Sequence, residues 1–454
     1  MNIDLYLRNG QIITEEGSFW GGLTVQAGKI AHLVSGNPDL LAREIIDVRG
    51  KAVLPGLIDP HVHFSEPRPD AYEGFLTGTS AAAAGGITAV IEMPLNASPP
   101  TIDGENLRRK QAIVQQTAVI DVGLWGGLVE NNLADLPDLA EGGVLALKAF
   151  MSDSASDFAR ADDDIIYAGL QFAAKRNLPV GVHCENEYIT RHLKQLLQAQ
   201  GRRDLAAWLE SRPPFQELEA IDRALHLARA TRGKLHVVHV SQGDGIRKII
   251  KARQEGAQVT NETCPQYLLL DEKDYLRIGA TAKCAPVIRP REMVEDLWDC
   301  VLAGQVDVIA SDHSPCLPSQ KAGAAHDVWQ IWGGISGVQT MLPGLLTEGV
   351  HKRGLSLSAL VRMMSANPAR IFGLYPRKGS LFPGADADFT VVDLDKEWTL
   401  ETDQLLYQNK HSAFIGYQYR GTVTQTFVRG NCVYRDEQII AQPGYGQLLL
   451  RASH

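Results

Sequence analysis

At 454 residues, 44% of them hydrophobic and 21% charged, the chain carries enough apolar mass for one large core plus an accessory domain, in the proportions of an ordinary globular protein. A formal net charge of −9 argues against a nucleic-acid partner, because basic residues such as Arg202-Arg203 and Lys248 with Lys251 are interleaved with acids and apolar positions. The most apolar stretch, Ala81 to Leu95, is interrupted by Gly85, Gly86, Glu92 and Pro94, Met1 to Leu5 does not read as a signal peptide, and the six cysteines form no Cys-x-x-Cys pair, so no membrane partner, reduced thiols and a cytoplasmic location are expected.

In chain order, residues 1–54 read as short strands: Asp4 to Leu7, Gln11 to Thr14 after an Asn9-Gly10 turn, Leu23 to Val25, and Ile30 to Val34 after Ala27-Gly28. From Pro55 the pattern becomes apolar strands alternating with helical stretches, the mark of βα units on a parallel sheet. Eight strands are predicted: Leu57 to His63, Thr88 to Met93, Val122 to Leu128, Val144 to Phe150, Pro179 to Cys184, Leu235 to Val240, Gln258 to Glu262 and Val306 to Ala310. Residues 55–375 are therefore expected to form an α/β fold, a (β/α)8 TIM-like barrel with insertions. Between strands, Phe215 to Ala230 places Leu218, Ile221, Leu225 and Leu227-Ala228 at helical spacing. Residues 376–454 return to β character at Phe389 to Leu394, Thr422 to Arg429 and Cys432 to Tyr434, and are expected to join residues 1–54 in one composite β-sandwich domain.

Barrel enzymes put their chemistry at the carboxyl ends of the strands, so those positions are the ones to inspect. The first strand ends in His61-Val62-His63, the fourth carries Lys148, the fifth ends at His183, the sixth at His239, and the eighth runs into Ser311-Asp312-His313. On a strand His61 and His63 face the same way and can present two imidazoles to one cation. Any one of these histidines alone is ordinarily a hydrogen-bonded rim residue; together, four histidines and an aspartate at one barrel end would be a costly polar cluster without a cation. His192, His226, His351 and His32 keep the plain structural reading.

Lys148 is the odd member, since an ammonium repels a metal. It either pairs with a rim carboxylate or has added carbon dioxide to its amine, and such a carbamate is an anion able to bridge two cations. Two divalent ions about 3.5–4 Å apart generate a bridging hydroxide and polarise a carbonyl. Asp312 would then be both a ligand and the catalytic proton shuttle. His313 projects to the other face and suits a supporting role better than ligation.

These residues, with Pro383-Gly384-Ala385-Asp386-Ala387-Asp388, give the chain a resemblance over nearly its whole length to the cyclic amidohydrolases of the amidohydrolase superfamily, and within them to the allantoinase branch. The resemblance implies a binuclear centre, usually of zinc with manganese or cobalt as alternatives, in which His61, His63, carboxylated Lys148 and Asp312 serve one metal and Lys148, His183 and His239 the other. It implies hydrolytic opening of a cyclic ureide, the hydantoin ring of allantoin, and a homo-oligomer, by resemblance a tetramer.

Hydantoinases, dihydropyrimidinases and dihydroorotases share that centre and remain alternatives, as does a non-catalytic relative, although such relatives lose metal ligands and all six positions are kept here. Dihydroorotases carry an arginine two residues after the second histidine, where this chain has Ser65; hydantoinases and dihydropyrimidinases carry a tyrosine five residues after the bridging lysine, where it has Asp153. Similar segments suggest Ser65, Asn96, Cys284, Ala285, Gly334 and Ser336 as substrate contacts, with Ala285 replacing a common serine. Asn96 reads equally well as a turn residue before Pro99-Pro100.

Overall fold

The computed structural model describes residues 3–154, 158–322 and 327–451. Eight strands, Leu57–Val62, Ile87–Glu92, Asp121–Gly127, Ala146–Phe150, Pro179–His183, Lys234–Val237, Val259–Thr263 and Val308–Ile309, pair in parallel, each with the next. The sheet closes where Val62 bridges His313 and the His63 N–H donates to the His313 carbonyl at 2.8 Å. Almost every residue of these strands is buried, which is why they read as apolar runs rather than alternating ones. Inside the barrel the Trp125 indole donates to the Pro60 carbonyl at 2.8 Å, and only a glycine fits beside it: a Cβ on Gly181 would lie 2.7 Å from the Trp125 ring.

The helix Pro214–Thr231 buries Ala220, Ile221, Ala224, Leu225 and Ala228 against the barrel. Leu218 and Leu227, expected on that face, are only half-buried, and the first turn instead buries Gln216 and Glu217. The stripe is rotated because those two polar side chains reach into a hydrogen-bonded network beneath the strand ends.

Both chain ends build one nine-stranded sheet. Its path runs Gln438–Ile439, Asn431–Arg435, Gln418–Val428, Phe389–Thr399, Ala52–Pro55, Leu5–Ile13, Ser18–Gln26 and Lys29–Ser35, with Glu44–Asp47 also paired to Leu5–Ile13. The two ends meet at the antiparallel pairing of Phe389–Thr399 with Ala52–Pro55. The expected hairpin at Ala27-Gly28 is present. Asn9-Gly10 is not a hairpin turn: Asn9 has φ of 64° and sits at a register shift between Leu7 and Gly10, a bulge within one continuous strand.

Sheet and barrel are joined at the amino-terminal end of the strands. The buried Lys378 ammonium donates to Asp121 (2.6 Å) and Asp388 (2.7 Å) and pairs with Asp386 at 2.9 Å. Burial opposes its charge, but Asp388, Asp121 and Asp386 hold it above the usual lysine range. The Pro383-to-Asp388 motif thus carries two of the carboxylates of an interdomain clamp. These acids lie close enough to resemble a metal site, but the lysine occupies the position a cation would take.

Candidate metal centre

At the opposite, carboxyl end the strands converge as predicted. His61 lies in the first strand and His63 just after it, Lys148 is central in the fourth, His183 ends the fifth, and His239 and Asp312 follow the sixth and eighth. All six side chains are buried. Asp312 Oδ1 lies 3.2 Å from His61 Nε2 and 3.3 Å from His63 Nε2, and donor atoms of these three residues fall within 4.8 Å of one another. His183 Nδ1 and His239 Nε2 are 2.9 Å apart, and the ring centroids of His61 and His239 are separated by 5.4 Å. His239 (φ 40°) and Asp312 (φ 46°) both occupy the left-handed region, a sparsely populated backbone state held by the strand ends around it.

Burial disfavours the charged form of two of these imidazoles. Burial lowers the His61 pKa, and burial together with His183, Lys148 and His61 lowers that of His239 well below the usual histidine value. Glu262 of the seventh strand fixes the tautomer of His61, whose Nδ1 is 2.7 Å from Oε1, leaving the Nε2 lone pair facing the cluster. The same oxygen accepts the His239 backbone N–H at 3.2 Å, while Oε2 is 3.3 Å from His236 Nε2. Although burial opposes its charge, His61 and His236 hold Glu262 below the usual carboxylate range. Glu185 does the same for His183, with Oε2 3.0 Å from Nε2; burial opposes its ionisation, but Arg212 and His183 bring its pKa to about 2.

Lys148 Nζ is fully buried with no hydrogen-bond partner, 4.6 Å from the centre of the Phe150 ring. Among the described residues no rim carboxylate, the plain alternative, bonds to it. Burial brings the amine down to about 8, against the pull of Asp312 and Glu262, so a useful fraction is the neutral nucleophile near physiological pH. An unpartnered amine among imidazoles and a single carboxylate fits a carbamate and the cations it would hold: the added group brings a second negative charge and two more donor oxygens. The donor set therefore suits a metal centre.

His313 is turned away from this cluster. Its Nδ1 accepts the Gly337 N–H at 3.1 Å and its Nε2 lies 3.6 Å from Glu73, so it supports the loop after the eighth strand, as its position predicted. Of the expected substrate contacts, Ser65 (φ 61°) has its hydroxyl bonded to the His63 carbonyl at 3.3 Å and its N–H to Glu92 at 3.1 Å. The Asn96 amide nitrogen Nδ2, also with its residue in the left-handed region, lies 3.3 Å from His63 Nδ1. The Cys284 carbonyl accepts from Trp208, next to half-buried Ala285. A Cβ on Gly334 would be 2.5 Å from that of Ser314, so the loop approaches the eighth strand's end closely, and buried Ser336 keeps an unpartnered hydroxyl. Asp153 is 66% exposed and pairs with Arg160 at 3.0 Å.

Sequence reasoning missed Glu262, Glu185, Asn96's contact with His63, and Glu92, which accepts the Phe64 and Ser65 N–H groups at 2.7 and 3.1 Å. Glu262 was detectable: it closes the predicted seventh strand, at the same end as the histidines.

A closed barrel with this set of strand-end ligands is the arrangement of a metal-dependent hydrolase, and the sequence profile of the Amidohydrolase family matches residues 52–433. The chain belongs to that family and is a cyclic amidohydrolase. It is 46% identical to an allantoinase of Rubrobacter xylanophilus over 97% of this chain and 96% of that protein, and 43% identical to an allantoinase of Solibacter usitatus over 98% and 96%. Among solved structures, an L-hydantoinase (dihydropyrimidinase) from Arthrobacter aurescens superposes with a TM-score of 0.96 at 35% identity, covering 99% and 100% of the two chains. A dihydropyrimidinase from Brevibacillus agri gives 0.91 at 31%, covering 98% of each.

Proposed function

We propose that the chain hydrolyses the ring amide of allantoin to give allantoate. The observation that carries the reading is the convergence of four histidines and Asp312 around a buried Lys148 with no hydrogen-bond partner among the described residues, in a chain that aligns with an allantoinase over 97% of its length. His61, His63, Asp312 and carboxylated Lys148 would hold one divalent ion and Lys148, His183 and His239 a second, with zinc the expected metal and manganese or cobalt alternatives. Such a pair supplies an activated water and polarisation of the ring carbonyl when bound.

The chain's own contribution is orientation and proton transfer. Asp312 takes the proton of the attacking water and delivers it to the ring nitrogen as the carbon–nitrogen bond breaks, so that the departing amine leaves neutral. Glu262 and Glu185 keep His61 and His183 in their ligating tautomers. Backbone groups of Cys284, Ala285, Gly334 and Ser336 would hold the ring, with Ser65 at the same rim.

The closeness of the hydantoinase structures favours a second reading, a hydantoinase or dihydropyrimidinase. Against it stands Asp153, which occupies the place of their tyrosine and whose carboxylate turns to Arg160 at the surface. The family resemblance also gives a cytoplasmic homotetramer. The reading predicts that protein reconstituted with zinc and bicarbonate converts allantoin to allantoate, identified by mass, and that Lys148→Ala neither retains metal nor turns over; an active, metal-replete Lys148→Ala contradicts it.

A further inference from the structure

Lys321 lies in the short helix Pro318–Ala322 beyond the eighth strand, and only 6% of its surface is exposed. Its ammonium is surrounded by four backbone carbonyls: Gly334 at 2.7 Å, Trp332 at 2.9 Å, Ala280 at 3.0 Å and Lys283 at 3.3 Å. Two come from the segment leading into Cys284-Ala285 and two from the segment leading into Ile335-Ser336. These are the two backbone segments assigned above to the ring. They also meet directly, the Gly334 N–H donating to the Lys283 carbonyl at 2.9 Å.

Four carbonyls at one point repel one another unless a cation sits among them, and three N–H bonds can satisfy them only by sharing. The neighbouring Lys283 also ties the segments, donating to the Ile331 carbonyl while lying 3.8 Å from the centre of the Trp208 ring. Burial, with Arg212 and Lys321 nearby, lowers Lys283 to about 6, further than burial lowers Lys321. The four carbonyls facing Lys321, against the single one facing Lys283, make Lys321 the better-stabilised cation of the two.

The peptide bonds after Lys283 and Gly334 are trans, so turning their carbonyls toward Lys321 turns the N–H groups of Cys284 and Ile335 the opposite way. Ile335 is bridged to His313, next to Asp312, and its carbonyl accepts the Ser314 N–H at 2.9 Å. We infer that Lys321 is a positioning residue for substrate recognition: a buried cation that gathers four carbonyls and so sets the spacing and the outward peptide faces of the two ring-holding segments. This rests on the proposed substrate reading. It assigns Lys321 no contact with metal or reacting atoms, so its loss should weaken binding in ground and transition states alike.

The test measures kcat and KM for allantoin, zinc content per chain and the thermal midpoint for the wild type, Lys321→Met and Lys321→Gln. Lys321→Met is expected to raise KM by about tenfold or more with kcat within about threefold and zinc content unchanged, and Lys321→Gln, which keeps two donors, to raise it less. A folded, zinc-replete Lys321→Met with wild-type KM, or with its loss confined to kcat, overturns the inference. If that variant does not fold, Lys321→Gln is judged by the same split. If the wild type opens dihydrouracil and not allantoin, the substrate reading fails by itself, and Lys321 is then judged on the KM for dihydrouracil.

Discussion

The site's most informative residue is the one with least around it. Lys148 has no acceptor for its amine, and a buried ammonium left so would cost several kcal/mol. Conversion to a carbamate removes that cost and requires the neutral amine, which predominates above the value of about 8 set by burial. Because addition of carbon dioxide to the neutral amine releases a further proton, at fixed dissolved carbon dioxide carboxylation of metal-free protein should rise with pH, more steeply below about 8 than above it. A carbamate signal from ¹³C-labelled carbon dioxide, followed by NMR, reads this directly; no signal at alkaline pH would contradict it. Glu262 is the second residue to test, since it touches His61 and His239 from one carboxylate. Glu262→Gln should weaken zinc retention by about 10–100-fold, measured by competition with a chelator, and wild-type affinity would remove its role. The convergence of these six strand-end side chains was legible in the sequence because His-x-His spacing and strand ends mark the positions. Glu262 could be picked out as the end of the predicted seventh strand, but its pairing with His61, 201 residues away, could not, because only closure of the barrel brings the two together.

At the scale of elements, alternating strands and helices announced the barrel, and the return of β pattern after residue 376 announced the composite sheet. What could not be read was register. Asn9-Gly10 has the chemistry of a turn, yet pairing with both Ser18–Gln26 and Ala52–Pro55 keeps the strand running through it as a bulge. Likewise Leu218 and Leu227 have the spacing of a buried stripe, but Gln216 and Glu217 take the inner face because Glu185, Ser241 and Arg289 satisfy them there. The Lys378 clamp gives this scale its own prediction. Lys378→Met leaves three carboxylates crowded at a buried interface and should cost about 3–5 kcal/mol, seen as a lower denaturation midpoint. The clamp sits at the barrel's far end, so the folded fraction should keep its kcat; an unchanged midpoint would mean the charges contribute nothing to holding sheet and barrel together.

For the whole molecule, the fold and ligands fix a hydrolase of cyclic amides, while the choice of ring depends on a few rim positions. Solved hydantoinases superpose almost completely on this chain, so architecture alone does not separate allantoin from dihydropyrimidines. Ser65, bonded back to His63, and Asp153, turned to Arg160, are where this chain departs from the relatives that act on those rings. The comparison of kcat/KM for allantoin, hydantoin, dihydrouracil and dihydroorotate on one zinc-loaded preparation tests the account most directly. It should show allantoin preferred by a wide margin; ready opening of dihydrouracil with allantoin untouched would contradict it.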